Sequence, residues 1–89
     1  MVTLSFTANI QRHVECEPRT LTGKTVAEVL AQYFEGNEEA KGYVLDDQGA
    51  LRHHMMIFVD GAPIADRAGL TDPIGDRSEI YVMQALSGG

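Results

Sequence analysis

The fold of this chain is decided by residues 25–36, which read TVAEVLAQYFEG. Thr25 followed three positions later by Glu28 is a capping box, the pattern that opens a helix. Gly36 suits the left-handed residue that commonly closes one. Between them the apolar side chains recur on one helical face, at Val26, Val29, Leu30, Tyr33 and Phe34. The stretch therefore predicts one amphipathic helix of about three turns.

Strand patterns precede this helix. Residues 2–8 alternate apolar and polar side chains, and residues 14–17 alternate again after a polar stretch. We therefore predict a hairpin of two strands. Pro18 follows the second strand and lacks a backbone donor, so that strand should lie at an edge of the sheet or bend there.

Two or three further strands follow the helix. Residues 43–45 are a short candidate, residues 54–59 form a stronger strand that ends on an Asp60-Gly61 turn, and residues 79–84 form the last strand. Residues 37–42 are polar and acidic, and either a loop or a short helical turn fits them.

This order of elements predicts an α+β fold of the β-grasp, or ubiquitin-like, type. A mixed sheet of four to five strands would carry one main helix on one face, with the first and last strands side by side in the middle. We expect this domain to span residues 1–86. Residues 87–89, Ser-Gly-Gly, are then left as a flexible tail.

The charge pattern restricts the partners. Thirteen Asp and Glu against seven Lys and Arg give a net charge of -6, and the basic residues are scattered singly. Nucleic acid requires a clustered basic surface, so we expect no nucleic-acid partner. An acidic protein suits a basic docking surface on another protein, although acidity also serves solubility alone.

Membrane and secretory signals are not apparent in the sequence. The apolar stretches are far shorter than the roughly 20 residues that span a bilayer, and the first residues lack the basic and apolar blocks of a signal peptide. The single cysteine, Cys16, has no partner for a disulfide within the chain. We therefore expect a cytoplasmic protein without a membrane partner.

The chain ends on Gly88 and Gly89. A terminal carboxylate on residues without side chains can enter a narrow enzyme channel, because glycine has no Cβ to clash with its walls. A free carboxylate is a poor acylating group, so it would first be activated at the expense of a nucleotide and a metal ion held by a partner. The alternative is a frayed end without function.

Several short motifs resemble the MoaD/ThiS family of ubiquitin-like sulfur carriers. They are the Ser87-Gly88-Gly89 ending, the apolar strand followed by Asp60-Gly61, and Gly75-Asp76 ahead of the last strand. Residues 49–53 are most similar to the longer, CysO-type carriers of that family.

The resemblance implies a mechanism and its partners. An adenylyltransferase of the ubiquitin-activating type would adenylate the Gly89 carboxylate with ATP and Mg²⁺, and a persulfide donor would convert it to a thiocarboxylate. The sulfur would then pass to an acceptor enzyme in the biosynthesis of cysteine, thiamine, molybdopterin or a secondary metabolite. In this scheme Ser87 and Gly88 belong to the tail, and the protein is not an enzyme and binds no cofactor or metal ion of its own.

A docking surface is predicted on the face of the sheet that the helix leaves uncovered. If Ile57, Val59, Ile80 and Val82 pack under the helix, alternation places the opposite set together on the other face. We expect that set to bind partners because exposed methionine and aromatic side chains usually mark an interface. The predicted docking residues are Met56, Phe58, Tyr81 and Met83, together with Leu86 just before the tail. The alternative is that residues 62–76, or a second copy of the chain, cover this face.

Two other functions remain open from the sequence. In the first, the protein is a ubiquitin-like modifier, and the activated Gly89 is conjugated to lysines of target proteins. In the second, it is a small non-catalytic subunit of a molybdopterin-synthase-like complex, and its tail is inserted into a partner's site. His53 and His54 are adjacent on a predicted strand and point to opposite faces, which does not favour a metal site. Cys16 is expected to be a small buried hydrophobic residue.

Overall fold

The computed structural model describes residues 1–85, which form a five-stranded sheet and three helices. In chain order the elements are β1 (Val2–Phe6), α1 (Ala8–Gln11), β2 (Arg19–Leu21), α2 (Val26–Phe34), α3 (Glu38–Val44), β3 (Met55–Val59), β4 (Ala62–Pro63) and β5 (Glu79–Gln84). The strand order across the sheet is β2-β1-β5-β3-β4. β1 and β5 are parallel neighbours near the centre, and the other pairs are antiparallel. This is the β-grasp fold that the sequence predicts.

The main helix, α2, begins at the predicted capping box. The Thr25 hydroxyl accepts a hydrogen bond from the Glu28 amide at 3.2 Å, and the Glu28 carboxylate accepts one from the Lys24 amide at 3.2 Å. Gly36 adopts φ +81° beyond the last turn, as predicted. The five apolar residues of the helix face are all buried. They pack on the core face of the sheet, which presents Val2, Leu4, Phe6, Ile57, Ile80 and Val82.

The segment between β1 and α2 differs from the predicted hairpin. Ala8 does not extend β1 but begins the short helix α1, which buries Ile10. Residues 14–17 form no strand, although Val14 and Cys16 are buried as their alternation suggests. The hairpin partner of β1 is instead β2, which lies at the sheet edge directly after Pro18.

Residues 43–45 are not a strand, and this prediction is wrong. Tyr43 and Val44 end α3, a helix capped by the Asn37 side chain, which accepts a hydrogen bond from the Ala40 amide at 3.2 Å. Ala40 and Val44, four positions apart, are the buried pair of this helix. The region left open between loop and helical turn is therefore helical.

Residues 64–74 run beside the start of α2. The Leu70 carbonyl accepts a hydrogen bond from the Ala27 amide at 2.8 Å, and the Ile74 amide donates to the Lys24 carbonyl at 3.0 Å. Leu70 is buried in the core. This segment thus closes the helix side of the domain. None of the helices within residues 1–85 is long and apolar enough to cross a membrane.

Candidate docking surface and the end of the last strand

The two central antiparallel strands bring the predicted docking residues together. In the β3–β5 register Met56 lies opposite Met83, and Phe58 lies opposite Tyr81. Side chains of directly opposed residues share one face of a sheet. We call these four residues the docking patch. Their placement follows the alternation in the sequence, and their role in partner binding stays a prediction.

The docking patch is accessible in the domain. Tyr81 is 42% exposed, while Met56, Phe58 and Met83 are half-buried. A shallow depression of about 400 Å³ lies on this face, lined by Ser5, Phe58, Gly61, Glu79, Ile80, Tyr81 and Met83.

Residues 70–74 bond to the start of α2, on the other side of the sheet from the docking patch. The β1 and β2 half of the same open face is polar, with Thr3, Ser5 and Thr20 at its positions. The apolar surface is therefore confined to β3 and β5, with Pro63 of β4 opposite Phe58 at its margin.

The Asp60-Gly61 turn holds β3 and β5 in the register that forms the patch. Both residues have positive φ, 51° and 87°, as a tight hairpin turn requires. The Asp60 carboxylate accepts hydrogen bonds from the Glu79 amide at 2.9 Å and from the Ser78 hydroxyl at 3.0 Å. The same hydroxyl accepts a bond from the Gly75 amide at 2.8 Å. Ser78 is buried, and the sequence analysis did not identify it.

The last strand runs from the patch toward the predicted tail. The Ala85 amide donates a hydrogen bond to the His54 carbonyl at 2.8 Å, which extends the β3 pairing by one residue beyond Gln84. The remaining predicted site residues, Leu86, Ser87, Gly88 and Gly89, lie outside the described residues.

A group of polar side chains surrounds the end of β5 on the core side. The Gln84 side-chain oxygen accepts hydrogen bonds from the Asn9 amide nitrogen at 3.2 Å and from the Tyr43 hydroxyl at 3.0 Å. The His13 ring stacks on Tyr43 with centroids 5.8 Å apart. The sequence does not reveal this group, because Asn9 lies in a polar stretch without a periodic pattern and Tyr43 in a segment that resembles a strand.

The buried cysteine does not contribute to the patch. Cys16 is 3% exposed, and burial raises the pKa of its thiol, so the thiolate form is disfavoured. Within the part of the chain that the structure describes, no three His, Cys, Asp or Glu side chains converge to hold a metal ion.

The β-grasp topology places the domain in the ubiquitin-like class. The last strand borders an uncovered apolar patch and is followed by the C-terminal residues. A protein-family comparison matches the ThiS family over residues 7–89, and the chain belongs to that family. This places it among ubiquitin-like sulfur carriers and modifiers, as the sequence resemblance implies. No curated protein gave a significant sequence match.

Solved structures share the fold along nearly the whole chain. A chain of the Amycolatopsis orientalis BexX/CysO complex is 20% identical with a TM-score of 0.81, and the match covers 100% of both chains. Methanosarcina acetivorans small archaeal modifier protein 1 is 23% identical with a TM-score of 0.78, covering 99% of this chain and 95% of that one. Mycobacterium tuberculosis CysO is 19% identical with a TM-score of 0.78, covering 97% and 100%.

Proposed function

We propose that this protein is a sulfur carrier that works in the cytoplasm as a protein co-substrate rather than as an enzyme. Its Gly89 carboxylate would be adenylated by a partner and converted to a thiocarboxylate, which then supplies sulfur to a biosynthetic enzyme. The observation that carries the proposal is that one strand, β5, contributes Tyr81 and Met83 to an exposed apolar patch and leads directly to the Gly88-Gly89 pair.

The docking patch supports the binding half of this proposal. An apolar surface on otherwise polar strands is suited to a partner that buries it, and methionine and aromatic side chains adapt to such contacts. The similar fold in the Amycolatopsis orientalis BexX/CysO complex supports a protein partner for this domain. We propose that an adenylyltransferase of the ubiquitin-activating type binds the patch first.

The chemistry would take place at Gly89 with reagents held by the partner. A carboxylate oxygen attacks the α-phosphorus of ATP, which is bound with Mg²⁺, and pyrophosphate leaves to give an acyl-adenylate. The terminal sulfur of a donor persulfide then attacks the acyl carbon, and AMP leaves. A thiol of the donor cleaves the resulting acyl disulfide, so that the carrier keeps a thiocarboxylate and the donor becomes a disulfide.

Mass spectrometry of the intact protein tests this function. The purified chain is incubated with ATP, Mg²⁺, a persulfide donor and the activating enzyme from the same organism. We expect the mass to rise by the difference between a sulfur and an oxygen atom. A protein lacking Gly89 should remain unchanged. An unchanged mass in the full-length protein would contradict the proposal and favour a non-catalytic subunit with an inserted tail.

A protein-modifier function is the second candidate, favoured by the similarity in fold to small archaeal modifier protein 1. The adenylated Gly89 would then be attacked by a lysine amine of a target, which forms an isopeptide bond and releases AMP. The same incubation with a cell extract distinguishes the two, because a modifier produces a ladder of heavier adducts through isopeptide bonds.

A further inference from the structure

The end of β5 lacks a second strand partner. β1 pairs with β5 only as far as Phe6 opposite Val82, followed by a bond from the Thr7 amide to the Val82 carbonyl at 3.1 Å, because the chain then turns into α1. On the other side β3 continues to pair, through Met55 opposite Gln84 and through the Ala85 amide. Residues 83–85 are therefore held by backbone bonds from one side only.

Side-chain hydrogen bonds hold the Gln84 side chain at this position. Asn9 comes from α1 and Tyr43 from the last turn of α3, and both donate to the one side-chain oxygen of Gln84. His13, just past α1, stacks on the Tyr43 ring and supports its position. Side chains from two short helices, each of which also contributes buried residues to the core, thus meet at the last residue of β5.

Gln84 is adjacent to a residue of the docking patch. Met83 points to the open face, and Gln84 points to the opposite face of the same strand. Four residues separate Ala85 from Gly89, and an extended chain of that length reaches at most about 14 Å. Because this reach is short, a small displacement at residues 84 and 85 changes where the carboxylate arrives once the patch is bound.

We infer that Gln84, held by Asn9 and Tyr43, is a positioning residue that fixes the point at which the chain leaves the domain, so that patch binding delivers Gly89 to the partner's reacting groups. This role rests on the proposed function and adds the requirement that Gln84 be held in place for loading of Gly89. Docking and loading are separable, since the patch governs binding and the group around Gln84 governs delivery.

Tyr43→Phe removes one of the two bonds to Gln84, Gln84→Leu removes both, and Gln84→Glu keeps an acceptor for both donors. Loss of one such hydrogen bond should lower kcat for loading by about two- to tenfold, with KM unchanged. Exchange of the Ala85 amide hydrogen with solvent should accelerate by a similar factor in Tyr43→Phe and Gln84→Leu. Gln84→Glu should retain the wild-type kcat and the wild-type amide protection.

Tyr33→Phe is the matched control. It removes the hydroxyl that donates to the Glu17 carbonyl at 2.6 Å, away from Gln84, and should leave kcat unchanged. If Tyr43→Phe loads at the wild-type rate, or raises KM instead of lowering kcat, the inference is wrong while the proposed function stands. If the wild-type chain is not loaded at all, the proposed function fails and the inference fails with it.

Discussion

Met83 lies half-buried on the open face of the sheet, opposite Met56 and beside the aromatic pair Phe58 and Tyr81. Its position follows from period-two alternation along β5, because Ile80 and Val82 are buried under α2. Each side chain on this strand therefore lies either on the core face or on the open face of the sheet. Substitutions at Met83 should affect binding more than folding.

Met83→Glu should raise the KM of the activating enzyme for this protein by about tenfold or more, because a carboxylate would be desolvated in an apolar contact. Steady-state adenylation kinetics measure the effect, and thermal unfolding checks that the fold is retained. Thr20→Glu is the control, since Thr20 shares the open face but lies on its polar half. A wild-type KM for Met83→Glu, or an equal effect of Thr20→Glu, would show that the patch is not the docking surface.

Tyr33 couples the stability of the core to alkaline pH. The pKa of its phenol is raised to about 12, mainly by burial; the nearby Cys16 and Glu17 also raise it, and Arg19 lowers it. The folded pKa lies above the unfolded value of 10, so the contribution to stability is complete below pH 10 and is lost as pH rises toward 12.

We therefore expect the free energy of unfolding to fall between about pH 10 and about pH 12, in step with ionisation of this phenol. Urea unfolding at a series of pH values measures it. The Tyr33→Phe protein should show a smaller fall over the same range, because the titrating group is absent. An equal fall in both proteins would assign the pH dependence to other groups.

At the scale of elements, α2 depends on its first turn. Thr25 and Glu28 each satisfy a backbone amide that has no partner within the helix. The helix has only nine residues, so this capping matters more than in a long helix.

Thr25→Ala should lower the free energy of unfolding by about 1 kcal/mol, the usual cost of losing such a cap. Urea denaturation measures the change. Thr22→Ala is the control, because Thr22 is exposed and lies outside the helix. Equal stability of Thr25→Ala and the wild type would contradict the capping role.

The elements that could be predicted from the sequence are those whose local signals agree with their packing. α2 has a cap, a helical apolar period and a closing glycine, and β5 was predicted with its observed bounds. The placement of Met56, Phe58, Tyr81 and Met83 on one face could also be predicted, because alternation fixes which residues share a face, while their role in docking stays a prediction. These features can be predicted without knowing which residues distant in the sequence come into contact.

The elements that were missed are held by contacts distant in sequence. Residues 14–17 alternate like a strand, yet the Glu15 and Glu17 carbonyls accept hydrogen bonds from the Asn37 and Tyr33 side chains instead of from a neighbouring strand. Gly42 within α3 obscured its helical pattern, so residues 43–45 were assigned to a strand. The group around Gln84 depends on both missed helices, α1 and α3, and could not be predicted without them.

For the whole molecule, the sheet separates a core side from an open face that carries the proposed docking patch. The helices and residues 64–74 close the core on one side, and the docking patch lies on the other. The net charge of -6 adds attraction to a partner with a basic docking surface. The domain would thus present and position Gly89, while the partner supplies the chemistry.

Tandem mass spectrometry of the C-terminal peptide tests the central claim most directly. The protein is first incubated with ATP, Mg²⁺, a persulfide donor and its activating enzyme. We predict that one oxygen of the Gly89 carboxylate is replaced by sulfur, and that the protein lacking Gly89 acquires none. Sulfur found elsewhere, for example as a persulfide on Cys16, or a C-terminal peptide of unchanged mass, would contradict the account.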